Sequence, residues 1–308
     1  MIYITVKEAS LKWGLSETLI RRYCSQGRIE GAISDRGSWK IPAKAKRPGR
    51  VVVLPDPLSP FVQKLLKQKE KHIKNGIYSY IQINLTYSNS RMASNRLTRI
   101  QVEDLFHTDK IKEGFEPIKV CDIIEVINHF MCIDYIIENA NASLTHTFVK
   151  KLHYLLKYAS YSDRKMLCTP GDYRTGPYAR KHVRNTQEFD TAKASNINPM
   201  LTHLFKEYEA LPTVTLDDLL DFHVRFEKIH PFDDGNGRIG RLILFKECLR
   251  HNITPFIIDD KKRGLYLQGL REWYVDKTPL IEACKESQER FMGELRFQKL
   301  AESHINFR

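Results

Sequence analysis

The segment His230-Pro231-Phe232-Asp233-Asp234-Gly235-Asn236-Gly237-Arg238-Ile239-Gly240-Arg241 sits between two stretches with apolar residues at helical spacing. Upstream, Thr215-x-x-Asp218 is a helix-capping pattern, and Leu216, Leu219, Leu220, Phe222, Phe226 and Ile229 recur on one helical face. Pro231 disfavours helical geometry in the residue before it, so that helix must stop near His230. Downstream, Ile239, Leu242, Ile243 and Cys248 restart a helical stripe. The pattern predicts a buried helix, a tight loop and a second buried helix.

The loop has the composition of an anion cradle. Gly235-Asn236-Gly237 permits positive φ and lets several backbone N–H groups converge at the positive end of the helix that follows. Arg238 and Arg241 are three apart on the first turn, so both guanidinium groups are expected to project toward the same anion. Two arginines, a backbone nest and a helix terminus exceed what one carboxylate needs and suit a di- or triphosphate. Asp234 precedes the nest, where a carboxylate can hold Mg²⁺ bridging phosphate oxygens. His230 has a near-neutral ordinary pKa, suited to a general base. Taken singly, a His before Pro is structural, Gly-Asn-Gly is a turn and paired arginines are a solvated face. Their common register between two core helices points to a site.

Outward from this segment the chain reads as mainly α. Residues 61 to about 93 form one helical stretch with a break at Gly76, and Thr98-x-x-Gln101 is a capping box. Residues 120–139, 144–158 and 199–211 have helical apolar spacing, whereas 169–186 is polar and reads as a hairpin or long loop. At the N-terminus a β-prone run over 3–6 leads into a helix over 7–13 that ends at Gly14-Leu15. Ser16 caps a second helix over 17–26 carrying Arg21, Arg22 and Tyr23, and Arg36-Gly37-Ser38 with Trp39-Lys40-Ile41-Pro42 closes a hairpin. Residues 1–48 thus read as a small winged helix-turn-helix domain, 49–60 as a proline-rich linker and 61–308 as the main domain.

The chain has 308 residues, 42% of them hydrophobic, which fits two domains with a sizeable core and excludes wholesale disorder. No window approaches the roughly 18–20 apolar residues of a membrane span, and Met1 to Glu8 lacks the regions of a signal peptide. Six cysteines show no close pair of metal-ligand or redox spacing, so the expectation is a reduced, cytoplasmic chain. The net charge is +12, and residues 1–50 carry eleven Lys/Arg against four Asp/Glu. That local excess suggests a polyanionic partner, with solvated surface charge as the alternative.

Residues 1–48 resemble the MerR/excisionase-like DNA-binding domains. The resemblance implies Glu17, Thr18, Arg21 and Arg22 in the major groove and Arg36 with Lys40 on phosphate; protein docking by the same fold is the competing role. His-x-Phe-x-Asp-Gly-Asn-Gly-Arg-x-x-Arg resembles the Fic family signature at every specified position, and the similarity extends over roughly residues 60–300. It implies an all-α core with a short β-hairpin flap and transfer of AMP from ATP to a hydroxyl of a target protein. On that resemblance His230 would deprotonate the hydroxyl, Phe232 anchor the loop and Asp234 bind Mg²⁺. Gly235, Asn236, Gly237 and Arg238 would hold the α- and β-phosphates, and Arg241 the γ-phosphate. Pro170-Gly171-Asp172-Tyr173-Arg174, within about 170–186, looks like the flap that pairs with an extended target segment. Arg263-x-x-Tyr266 is similar to the stretch that contributes to the adenine pocket, with the Tyr266 ring near adenine. The Gly-Asn-Gly-Arg form favours nucleotidyl over phosphoryl transfer.

One departure from the family stands out. Many Fic proteins carry an inhibitory helix, Ser/Thr-x-x-x-Glu-Gly/Asn, whose Glu pairs with the second motif arginine. The corresponding segment, about 86–95, has Asn89 for Ser/Thr, Ala93 for Glu and Ser94 after it. Because alanine cannot accept a hydrogen bond from Arg241, the resemblance implies a released, self-modifying transferase. Two alternatives stand beside it: a DNA-associated regulator whose core senses nucleotide without turnover, and a transferase using UTP, GTP or CDP-choline. A homo-oligomer is compatible with all of them.

Overall fold

The structure is a computed structural model that describes residues 2–25, 27, 29–35, 37–47, 57–112, 117–160, 169–176 and 191–297. Arg36, most of the linker and residues 177–186 of the expected flap lie outside the described residues. The chain divides into two units, Met1–Pro55 and Asp56–Arg308.

In the first unit, strand β1 (Tyr3–Thr5) runs straight into helix α1 (Val6–Trp13). Thr5 and Glu8 form a reciprocal capping box, and Gly14 closes the helix in the left-handed conformation at φ 64°. Helix α2 (Glu17–Ser25) buries Ile20, Tyr23 and Cys24. Strands β2 (Ile33–Asp35) and β3 (Ser38–Pro42) pair antiparallel, and β3 also pairs with β1, giving the order β1-β3-β2 with Tyr3 opposite Pro42 and Ile33 opposite Lys40. Val6, Ala9, Trp13, Ile20 and Ile41 form its core.

The second unit is helical. It contains α3 (Pro60–Glu70), α4 (Ile77–Met92), α5 (Arg99–Thr108), α6 (Val120–Glu138) and α7 (His146–Lys157). It continues with α8 (Ile197–Glu209), α9 (Leu216–Ile229), α10 (Asn236–Arg250), α11 (Arg263–Glu272) and α12 (Thr278–Phe297). The expected break near Gly76 separates α3 from α4. A Cβ at Gly76 would lie 2.3 Å from Gln68 Oε1, and that oxygen accepts from the Tyr78 backbone N–H at 2.9 Å. Both predicted capping boxes are formed, at Thr98 and Thr215. Helix α10 is buried along nearly its whole length and packs against α4, α6, α7 and α9, which explains why its hydrophobic pattern is almost one-sided nowhere. Phe226, Phe232 and Ile239 are fully buried, and each such side chain contributes about 1.5–3 kcal/mol. The loop between α9 and α10 therefore rests on the rigid centre of the unit. Among the described residues no helix is long and apolar enough to cross a membrane.

Candidate active site

The loop owes its shape to residues at both ends. Helix α9 ends at His230, which takes the left-handed conformation at φ 52° and ψ 62°. For a non-glycine residue that costs about 1–2 kcal/mol, so the surroundings must hold it. Asn236 does part of this work. Its Oδ1 accepts from the Phe232 backbone N–H at 2.8 Å and its Nδ2 donates to the Phe232 carbonyl at 2.7 Å. The Asn236 side chain is thus buried and braces the loop, and the expected phosphate contact of this residue falls to its backbone N–H. Gly235 precedes α10 with φ 86°, and no side chain caps that helix, so its first-turn N–H groups remain available to an anion. Gly237 leaves room for Arg241: a Cβ there would lie 3.0 Å from the Arg241 Nη1.

His230 is poised as a base. Its Nδ1 donates to the Glu227 carbonyl at 3.3 Å, which in the neutral ring leaves a lone pair on Nε2. Burial, opposed by that carbonyl and aided by the Arg174 cation, holds its pKa below the ordinary 6.5. The ring is therefore neutral at physiological pH.

Arg238 departs from expectation. Its guanidinium is buried, donating to Glu125 Oε2 at 2.6 Å and Asp234 Oδ2 at 3.0 Å. Lys157 Nζ, also buried, completes the quartet at 2.9 Å from both Glu125 Oε1 and Asp234 Oδ2. Burial would push the Asp234 carboxyl up, but Arg238 and Lys157 outweigh it and hold the pKa well below the usual range. The Arg238 side chain thus faces inward onto carboxylates and not outward onto an anion, because two part-buried carboxylates side by side call for two cations. Glu125 and Lys157 were not legible as site residues, although a charge inside an otherwise apolar helical stripe is a signal that could have flagged them.

His153 ties the loop to Gly171, at the start of the expected flap. Gly171 N–H donates to its Nδ1 at 2.9 Å, so Nε2 carries the proton and donates to the Asp234 carbonyl at 3.1 Å. Its ring stacks on Phe232 at 3.8 Å, and burial pushes its pKa down to about 3.

Arg241 is engaged by α4. Its Nε donates to Asn89 Oδ1 at 2.6 Å. The Asn89 amide is itself oriented: Nδ2 donates to His129 Nε2 at 2.7 Å and to the Arg238 carbonyl at 3.2 Å, which turns Oδ1 toward Arg241. His129 can accept because burial keeps it neutral, with a pKa near 3, and its Nδ1 donates to Thr86 Oγ1 at 2.9 Å. Ala93 is exposed at the C-terminal cap of α4, one turn further on. The α4 residue that holds Arg241 is thus Asn89 and not the one at position 93. Beside Arg241 a cavity of about 10 Å³, lined by Ser88, Asn89 and Phe256 among others, has room for one water. Tyr266 is fully buried below, its hydroxyl 2.8 Å from His223 Nε2 and its ring 5.8 Å from the Arg241 guanidinium. It is a core ring at the base of the site, not the wall of an open cleft.

The carboxylate of Asp234 is of the kind that would hold a Mg²⁺. Both of its named ion pairs use Oδ2, and a third of the side chain (33%) is exposed. One carboxylate plus phosphate oxygens is a common Mg²⁺ set. Among the described residues no group of three or more His, Cys, Asp or Glu is placed to hold a metal by itself.

Residues 143–247, which span α7, α8, α9, the loop and most of α10, match the family model described as the Fic/DOC family. A curated relative from Aquifex aeolicus (strain VF5), named a probable protein adenylyltransferase, is 39% identical over 51 residues, covering 17% of this chain and 15% of the relative. The chain thus spans only a small part of that relative's length. Among solved structures, a Fic domain containing signaling protein from Bacteroides thetaiotaomicron superposes with a TM-score of 0.61 at 19% identity, over 82% of this chain and 95% of that one. Fic-1 (residues 134–508) from C. elegans gives 0.55 at 16% identity, over 76% and 70%. These structures share the fold.

Proposed function

We propose that this chain is a protein adenylyltransferase that moves AMP from ATP to a hydroxyl side chain of a target protein and to itself. The observation that carries this reading is the neutral imidazole of His230, held one short loop away from the uncapped N-terminus of α10. The His230 Nε2 takes the proton of the incoming hydroxyl, the oxygen attacks the α-phosphorus, and the bond to pyrophosphate breaks. The first-turn N–H groups of α10 receive the charge that develops on the phosphate oxygens. Mg²⁺, when bound, supplies further neutralisation there, and Asp234 is the residue that would hold it. Arg238 serves from behind by fixing Asp234, and any phosphate contact from this residue comes from its backbone. Arg241 grips the far phosphate once Asn89 gives it up. Target protein has a place to dock in a groove of about 510 Å³ lined by Lys150, Asp172, Tyr173, Ser195, Asn198 and Asp233. Incubation with ATP radiolabelled at the α-phosphate tests the reading: label should enter the wild-type chain and not His230→Ala. Equal labelling of both would end it, and competition with UTP, GTP or CDP-choline identifies the donor.

A second role belongs to the first unit. Arg21 and Lys40 are half exposed and Arg22 is exposed, a basic face suited to DNA phosphates. Glu17 and Asp35 pair with Arg21 and Lys40 and moderate that charge. Binding to duplex DNA should weaken steeply with salt and fall in Arg21→Ala/Arg22→Ala; a flat salt response would point to protein docking.

A further inference from the structure

The first residues of the expected flap place a buried cation on the end of the helix that presents His230. Arg174 is 3% exposed. Its backbone N–H donates to the Pro231 carbonyl at 2.9 Å, and its Nε donates to the His230 carbonyl at 2.8 Å. Nη2 reaches the carbonyls of Ala192 and, at 3.5 Å, Ile229, while Nη1 donates to the Gly176 carbonyl at 3.2 Å. The hydrogen-bond acceptors of this guanidinium are thus main-chain carbonyls drawn from three segments.

Two of those carbonyls, of Ile229 and His230, belong to the C-terminal end of α9, where the last carbonyls lack partners within the helix and the macrodipole is negative. A cation there satisfies the carbonyls and complements the dipole. It also grips the backbone of a non-glycine residue in the left-handed region, a conformation that relaxes unless its surroundings hold it. The direction of the imidazole is set together with that backbone, since with the chain turned this way Nδ1 reaches the Glu227 carbonyl one turn back. Lysine could not replace the fork: its donors leave from one point, whereas these acceptors are spread around the guanidinium plane.

We propose that Arg174 is a positioning residue for His230, locking the backbone of the base and so aiming Nε2, without touching nucleotide or target. The inference rests on the reading of His230 as the base. Two variants of the full chain, Arg174→Gln and Arg174→Lys, test it with two readouts, and a third, Arg174→Gly, serves for chemical rescue. In self-labelling with ATP, kcat should fall about tenfold or more while KM for ATP stays within about twofold, because positioning and not binding is lost. Guanidinium ion, added below denaturing concentration, should restore part of the rate to Arg174→Gly. Independently, the His230 ring signal in a ¹H–¹³C NMR spectrum, assigned by its loss in His230→Ala, should shift or broaden in both variants while the His129 and His153 signals stay put. A folded variant with an unmoved His230 signal and kcat within twofold of wild type would overturn the proposal. Should Arg174→Gln fail to fold, Arg174→Lys and the rescue experiment decide. Should the wild type show no transfer at all, the proposed function falls while the NMR readout still judges the placement of His230.

Discussion

Removing the amide of Asn89 should loosen Arg241 and tighten nucleotide binding while making the fold less stable. In the structure the Arg241 guanidinium donates to Asn89 Oδ1 at 2.6 Å, and the space beside it is about the size of one water. A phosphate that takes the Nε edge of Arg241 must first break that bond. A hydrogen bond to a charged group contributes about 2 kcal/mol, so Asn89→Ala should raise ATP affinity by up to about thirtyfold. The same change deprives His129 Nε2 and the Arg238 carbonyl of a donor, in a setting where each buried unsatisfied group costs about 1–3 kcal/mol. The unfolding temperature should therefore drop by several degrees. Titration calorimetry with Mg·ATP and a thermal scan on the same sample read both effects. Their opposite signs matter, because a merely damaged fold would lose affinity as well as stability. A folded Asn89→Ala chain that binds ATP no more tightly than wild type would refute the reasoning. Ala93→Glu places a carboxylate one turn along the same helix face and should act in the other direction, cutting self-labelling several-fold.

Three further outcomes follow from the buried charges. Lys157→Met leaves Glu125 and Asp234 to share Arg238, and should cost about 3–5 kcal/mol of stability in denaturant unfolding; a loss below 1 kcal/mol would mean the quartet is not a mutual dependency. Burial raises the Glu227 carboxyl from 4.5 to about 7, and its Oε1 has no hydrogen-bond partner. Because the folded pKa lies above the unfolded one, the cost is absent below pH 4.5 and grows as pH rises through 7, reaching on the order of 3 kcal/mol. Glu227→Gln should accordingly stabilise the chain at pH 8 and leave it nearly unchanged at pH 4.5, as read by thermal unfolding at the two pH values. For catalysis the sign is set by His230: with its pKa held below 6.5, the base form persists into mild acid, so the acid limb of the kcat profile should lie below pH 6.5. A limb above that value would place the controlling proton on another group.

The two helices around the loop, the capping box that opens α9 and the stop at His230 were all legible, because Pro231, Gly235 and the apolar stripes are local signals with local consequences. The direction of Arg238 was not. On a bare first turn it should point outward with Arg241, and only the tertiary arrival of Glu125 from α6 and Lys157 from α7 turns it inward. Tyr266 misled for a similar reason: a ring three residues after an arginine does not announce that His223 waits for its hydroxyl in the core. Asn89 was visible as a departure from a pattern, but its grip on Arg241 depends on His129, forty residues away. Long-range polar contacts decided what the motif alone left open.

Intact-mass spectrometry of the chain after incubation with Mg·ATP bears most directly on the claim that His230 delivers a hydroxyl to the α-phosphorus. The account predicts that wild-type chain gains the mass of one or more AMP groups and that His230→Ala gains none. An equal AMP gain in His230→Ala, or a gain of phosphate in place of AMP, would contradict it.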